Sequence, residues 1–197
     1  ASFADDSAES VIIATGANWP DALGASALAG MYDAPILLTA TDSLPACVIT
    51  EMARLGAVDA FVIGGENAVS AAVFTELEGL LSGTVTRLGG ATRYETASIV
   101  ASEAIAANDG WDGTAFITTG GSFPDALAAA PLAAKAGWPI YLTGPDGLDP
   151  ATEAIMDAQG VSRVLILGGY GVVPMSVDVE GMETTEVERI SGMNRYG

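Results

Sequence analysis

An internal duplication is the strongest constraint on how this chain can fold. Shifting the sequence by 104 positions aligns "ATGANWPDALGASALAG", which begins at Ala14, with "TTGGSFPDALAAAPLAA", which begins at Thr118, without a gap. The same shift aligns "PILLT" with "PIYLT" and "VIGG" with "ILGG", and a short deletion then aligns "RLGGATRY" with "RISGMNRY". A repeat of this length is too long for a solenoid unit and suits a small domain.

Within each unit, short apolar segments alternate with helical patterns. In the first unit "VIIAT", "PILLT", "AFVIGG" and "TVTRL" are typical of strands, and helical periodicity begins near Asp21, Pro45 and Ser70. Thr92 and Glu95 form a capping-box pattern ahead of a further helix. Parallel strands need crossover connections, which the helices provide. We therefore predict an α/β fold of tandem repeats, each with a mainly parallel sheet flanked by helices.

The repeat pattern is out of phase with the ends of the chain. The helix that follows "RLGGATRY" precedes the first strand of the second unit, but only "ASFADDSAES" precedes the first strand of the first unit. We predict a first repeat over residues 1–86 that is truncated at its N-terminus and a second repeat over 87–188. Residues 189–197 are predicted to be the start of a third repeat or a C-terminal remnant.

Charge and residue usage exclude several classes of function. The chain has 25 acidic and seven basic residues, a formal net charge of −18, so we expect neither nucleic acid nor an anionic bilayer as a partner. Its apolar runs are short of the roughly 20 residues that a membrane-spanning helix needs, so membrane insertion is not expected. The sequence contains no histidine, which removes Ser-His-Asp and Cys-His catalysis and the common zinc sites. We expect no cofactor, although acidic residues leave calcium or magnesium open.

Several motifs together resemble a known family. The set "ATG..(W/F)PDAL", "P(I)(L/Y)LT", "(V/L)(I/L)GG" and "R(L/I).G..RY" is similar to the cell wall binding type 2 repeats of Gram-positive surface proteins and autolysins. This resemblance implies a Toprim-like α/β fold, an extracellular location at the cell wall or cell surface, and non-covalent binding of an anionic, often teichoic-acid-like, secondary wall polymer. It also implies that such repeats commonly occur in threes around a pseudo-threefold axis, beside a separate effector region.

Four of the seven basic residues lie in two copies of one short pattern: Arg87 and Arg93 in the first, Arg189 and Arg195 in the second. A guanidinium forms bidentate, charge-assisted hydrogen bonds with phosphate or carboxylate, so these arginines are candidate ligand-binding residues. The alternative is structural, with Arg87 or Arg93 paired to a nearby acid such as Glu95.

A second set of candidates lies where the predicted strands end. Ligands of open parallel sheets bind at the carboxyl ends of the strands, and glycines there admit close approach to the backbone. The alternative is that the glycines form turns and the threonines end strands. The candidates are Thr15, Gly16, Gly64 and Gly65 in the first unit, and Thr119, Gly120, Gly168 and Gly169 in the second.

Three other positions favour structural over chemical roles. Asp21 and Asp125 fall in the first turn of predicted helices, three residues after Asn18 and Ser122, so we assign these segments to helix capping rather than catalysis. Cys47 is the one cysteine of the sequence, and no histidine is present to activate it.

We therefore predict a non-catalytic module that anchors a surface protein to the wall. A protein interaction or assembly module of a surface layer, associating with further repeats or copies, is the alternative, and an enzyme ranks third.

Overall fold

The computed structural model describes residues 3–179 and 186–192, and it contains two four-stranded parallel sheets. The first sheet has the order β2-β1-β3-β4 and the second β6-β5-β7-β8. The first comprises β1 (Ser10–Thr15), β2 (Ile36–Thr39), β3 (Asp59–Ile63) and β4 (Val85–Leu88). The second comprises β5 (Thr114–Thr119), β6 (Ile140–Thr143), β7 (Arg163–Leu167) and β8 (Glu186–Ile190). The predicted α/β fold with parallel sheets is confirmed, whereas the Toprim-like resemblance remains a prediction.

Helices connect the strands as crossovers and cover the sheets. They are α1 (Pro20–Gly24), α2 (Ser26–Met31), α3 (Ala46–Leu55), α4 (Ala71–Leu80), α5 (Arg93–Ala106), α6 (Pro124–Ala136), α7 (Pro150–Gln159) and α8 (Ser176–Val179). The predicted starts near Asp21, Pro45 and Ser70 correspond to α1, α3 and α4. Thr92 caps α5, because its hydroxyl accepts a hydrogen bond from the Glu95 backbone N–H at 3.2 Å.

The sequence duplication is visible in the strand pairing. Ile12 pairs with Ile36 between β1 and β2, and the positions 104 residues later, Phe116 and Ile140, pair between β5 and β6. The strand order and the register are therefore the same in the two units.

Both units contribute to one central hydrophobic core. This core includes Ile12, Leu28 and Phe61 from the first unit and Phe116 and Leu142 from the second. Helix α5 packs against α1 and α2 on one side and against β6 and α7 on the other, and α2 packs against α6. Separate clusters fill the opposite faces of the two sheets. The units are thus joined through buried apolar surface.

The predicted repeat boundaries remain predictions at the level of single residues. Strand β4, which contains Arg87, pairs with β3 in the first sheet, so the expected boundary at residues 86 and 87 falls within a strand. Strand β8 contains Arg189, and the described chain continues from it to Gly192. In the described part of the chain, no helix is both long enough and apolar enough to cross a membrane.

Candidate functional site

The strand-end threonines are buried, and their hydroxyls stabilise the turns that follow the strands. The Thr15 hydroxyl accepts a hydrogen bond from the Ala17 backbone N–H at 3.2 Å, and the Thr119 hydroxyl accepts one from the Gly121 N–H at 3.1 Å. Both threonine side chains are therefore engaged in local structure at the carboxyl ends of β1 and β5.

The strand-end glycines form equivalent turns in the two units. Gly16 donates its N–H to the Thr39 carbonyl at 2.8 Å, and Gly120 donates to the Thr143 carbonyl at 2.9 Å. The Gly65 carbonyl accepts from the Ala68 N–H at 2.9 Å, as the Gly169 carbonyl accepts from Val172 at 3.0 Å. All eight strand-end candidates thus lie at the carboxyl edges of the sheets.

Gly64 and Gly168 are required for two reasons. Their φ angles of 101° and 119° lie in the region that favours glycine. A β-carbon at Gly64 would also lie 2.7 Å from Oδ2 of Asp21, and one at Gly168 would lie 3.0 Å from Oδ2 of Asp125. Each glycine therefore admits the carboxylate of the neighbouring helix start.

The capping predicted at these helix starts is wrong in its detail. Asp21 and Asp125 do lie in the first turns of α1 and α6, but the N-cap residues are Trp19 and Phe123, and neither forms a side-chain cap hydrogen bond. Proline occupies the first helical position in both helices, which moves each start one residue past the predicted Asn18 and Ser122 caps. Burial raises the pKa of the Asp21 carboxyl, and the nearby Arg93 charge partly offsets this.

Arg87 and Arg189 are held in corresponding structural positions. Nη1 of Arg87 donates to the Gly64 carbonyl at 2.8 Å, and its guanidinium lies 4.9 Å from the Phe74 ring centroid. Nη1 of Arg189 donates to the Gly168 carbonyl at 2.6 Å, and its guanidinium lies 4.3 Å from the Tyr170 ring centroid. Each arginine therefore ties the fourth strand of its sheet to the loop after the third. Burial lowers the pKa of Arg87.

Arg93 lies at the junction of the two units. It begins α5, donates from Nη1 to the Gly120 carbonyl at 2.5 Å, and places its guanidinium 6.0 Å from the Trp19 ring centroid. Within residues 3–179 and 186–192, its other guanidinium N–H groups have no hydrogen-bond partner. The side chain is partly exposed, so a ligand can reach these donors.

The structural alternative, an ion pair of Arg87 or Arg93 with Glu95, does not form. The Glu95 carboxylate accepts a hydrogen bond from the Ala91 backbone N–H at 2.7 Å, and the described residues contain no ion pair of Glu95 with Arg87 or Arg93. Arg195, the remaining candidate arginine, lies outside the described residues.

The second unit carries two cavities that its sequence did not predict. One, of about 370 Å³, lies between Tyr94 and Tyr170 at the carboxyl edge of the second sheet. The other, of about 770 Å³, is lined by apolar side chains that include Leu132, Leu165 and Ile190. The duplication contained a sequence signal for the smaller cavity. Tyr170 occupies the position that Glu66 has in the first unit, so an aromatic residue replaces an acidic one there. Tyr94 packs against the central core and also lines this cavity.

The sequence matches the model of the Cell wall binding domain 2 (CWB2) family over residues 1–74 and 87–178. It is 32% identical to N-acetylmuramoyl-L-alanine amidase LytC of Bacillus subtilis (strain 168), covering 96% of the chain and 36% of that protein. It is 36% identical to the amidase enhancer of the same organism, covering 89% of the chain and 23% of that protein. The chain therefore spans about a third or less of these relatives.

Two solved structures have the same fold. Cwp6 from Clostridium difficile is 27% identical with a TM-score of 0.87, over 95% of this chain and 30% of that one. Cwp8 from Clostridium difficile is 31% identical with a TM-score of 0.85, over 98% of this chain and 32% of that one. Their similarity extends across both repeats.

Proposed function

Because the chain belongs to the Cell wall binding domain 2 family, as its motifs predicted, we propose that it is a non-catalytic module that binds an anionic wall polymer. Through this binding it holds a surface protein at the Gram-positive envelope. The match of the family model to both repeats is the observation that carries this proposal. The family and the autolysin-related relatives agree with the predicted location at the cell wall. The histidine-free sequence favours binding over catalysis.

Arg93 is the residue that we propose to contact the polymer. Arg87 and Arg189 donate to loop carbonyls in equivalent positions, which supports a structural role for both. Arg93 retains donors that have no partner among the described residues, and it lies next to Trp19 on the partly exposed junction of the units. A charge-assisted hydrogen bond to phosphate or carboxylate contributes about 1.5–3 kcal/mol, so one such contact binds weakly and gains strength by repetition along a polymer.

The net charge of −18 does not prevent local binding of an anion. At physiological salt the Debye length is about 8 Å, so distant carboxylates are screened while a contacting arginine is not. Divalent cations that bridge protein carboxylates to polymer phosphates are the alternative route, and a chelator distinguishes the two. Arginine-mediated binding survives the chelator.

Co-sedimentation with purified Gram-positive walls tests the role of Arg93. Replacing Arg93 with Ala is expected to weaken binding about tenfold, since one charge-assisted contact is lost. Arg54→Ala is the matched control, because Arg54 pairs with Asp5 and Glu51 and its helix α3 packs in a cluster separate from the core that joins the units. It is expected to leave binding unchanged. Full wall binding by a folded Arg93→Ala variant would remove Arg93 from the site and return the strand-end threonines and glycines to consideration.

A second proposal concerns residues 189–197, which we propose begin a third repeat. Leu28 is fully buried beneath the second unit, whereas its counterpart Leu132 is 45% exposed at the larger cavity. Likewise Leu88 is 6% exposed and Ile190 is 50% exposed. Helix α5 follows β4 and packs against α2 and β4, which carry Leu28 and Leu88. An α5-like helix after β8 would cover Leu132 and Ile190 in the same way.

This exposed face also supports the alternative function of assembly. Size measurement in solution separates the two functions: a monomer that binds walls supports anchoring, and a stable oligomer that ignores walls supports assembly. Replacing Leu132 with Ser is expected to reduce any self-association without lowering the melting temperature, because Leu132 is exposed. The matched change Leu28→Ser is expected to destabilise the fold.

A further inference from the structure

The smaller cavity of the second unit has the size and position of a ligand site. We call it the tyrosine pocket; it lies between Tyr94 and Tyr170 and is also lined by Thr119, Gly121, Ser122 and Pro145. It opens at the carboxyl ends of the strands, where ligands of parallel sheets bind. Its volume of about 370 Å³ is near the lower end for ligand pockets, which suits a single ring rather than a long segment.

The pocket offers aromatic surface together with unused polar groups. Tyrosine presents an apolar ring and a polar tip, which matches a sugar ring with its apolar faces and hydroxyl edges. The hydroxyls of Tyr94, Tyr170 and Ser122 have no hydrogen-bond partner in the described part of the chain. Three polar groups are therefore available around one cavity.

The electrostatics favour a ligand that carries a negative charge. The Arg189 guanidinium lies 4.3 Å from the Tyr170 ring centroid and is fixed by its bonds to the carbonyls of Gly168 and Val173. None of the described residues that line the pocket is acidic, although the chain has 25 acidic residues. An anionic group in the pocket would thus meet a nearby positive charge and no lining carboxylate.

The first unit differs at the same place. Glu66 occupies the position of Tyr170, and Thr41 occupies that of Pro145. Glu66 lies near enough to Arg87 to influence its ionisation, so an anion at this place in the first unit would meet a carboxylate.

We propose that the tyrosine pocket binds one sugar ring bearing an anionic substituent, and that the second unit alone of the two described units has this site. The proposal rests on the proposed function, since it makes that sugar part of the wall polymer. Tyr170 then acts as the residue that distinguishes the binding unit from the non-binding one.

Reciprocal exchange between the units tests this assignment. Tyr170→Glu copies the first unit, and it is expected to weaken wall co-sedimentation about five- to tenfold through loss of aromatic contact and gain of like charge. Tyr170 is 58% exposed, so the variant is expected to fold. Glu66→Tyr is the matched control and is expected not to weaken binding.

A soluble probe separates this proposal from the proposed function. N-Acetylglucosamine 1-phosphate is expected to shift the backbone NMR resonances of Gly121 and Gly171 in the wild type and not in Tyr170→Glu, while glycerol 1-phosphate has little effect. Such shifts without wall binding would support the pocket and overturn the anchoring function. Wall binding that is equal in wild type and Tyr170→Glu, with no shift at Gly121 or Gly171, would overturn the pocket and leave anchoring intact.

Discussion

The contact between α2 and α6 gives a sharp prediction about how the two units are joined. Gly30 of α2 faces the backbone of α6, and a β-carbon at this position would overlap the carbonyl oxygen of Ala134 and lie 2.7 Å from its Cα. Ordinary non-bonded contacts are about 3.5–4.0 Å and the carbonyl oxygen is the limiting contact, so Gly30→Ala requires the helices to separate by more than about 1 Å. That separation would loosen the shared core beneath them.

The expected magnitude follows from two opposing terms. Overpacking of this kind costs about 1–3 kcal/mol, and the higher helix propensity of alanine returns about 0.5–1 kcal/mol. We expect a net loss of about 1–2 kcal/mol for Gly30→Ala, which for a chain of this size lowers the melting temperature by about 2–8 °C. Thermal unfolding followed by circular dichroism measures this.

Gly79→Ala is the matched control, because Gly79 lies in α4 and a β-carbon there has no atom within 4 Å. It is expected to leave stability unchanged or raise it by up to about 1 kcal/mol. A Gly30→Ala protein as stable as the Gly79→Ala protein would refute the argument that close approach of α2 and α6 joins the units.

Three further predictions concern single side chains. Arg87→Ala is expected to lower the free energy of unfolding by about 2 kcal/mol, because the contacts with Gly64 and Phe74 are lost. Wall binding per folded molecule is expected to be retained. Lost binding in a variant as stable as the wild type would contradict this. Burial raises the pKa of Asp21 above its ordinary 3.8, so the wild type loses stability as the pH rises above that value. The free energy of unfolding of Asp21→Asn, measured in urea, should therefore equal that of the wild type below pH 3.8 and exceed it at pH 7. The same pH dependence of stability in both proteins would show that burial of this carboxylate does not destabilise the fold. Cys47 is exposed, so Cys47→Ala should fold and bind walls as the wild type does, within about 0.5 kcal/mol of its stability, and lost binding would assign the thiol a role.

Local signals explain why the fold was predictable from the sequence. Apolar runs of strand length, helical periodicity and the Thr92 cap depend on neighbouring residues, and the duplication gave two readings of each pattern. The helix starts at Pro20 and Pro124 were missed by one residue because the prediction weighed the polar cap candidates above the preference of proline for the first helical position.

The candidate site was less predictable because its contacts join distant segments. The spacing of the arginines marked Arg87 and Arg189, but it could not identify the acceptor of each as a carbonyl in the loop after the neighbouring strand. That requires the strand order, in which β4 and β8 lie beside β3 and β7. The tyrosine pocket likewise depends on a helix start and a loop 76 positions apart, at Tyr94 and Tyr170.

Co-sedimentation with walls before and after removal of their anionic polymer tests the central claim most directly. Cold hydrofluoric acid cleaves phosphodiester links and leaves the peptidoglycan, so the two preparations differ in the proposed ligand. The chain is expected to bind untreated walls, to bind them less as salt rises because its charge-assisted contact is partly exposed, and to remain in the supernatant with stripped walls. Equal binding to both preparations would contradict the account, because the ligand would then be the peptidoglycan itself.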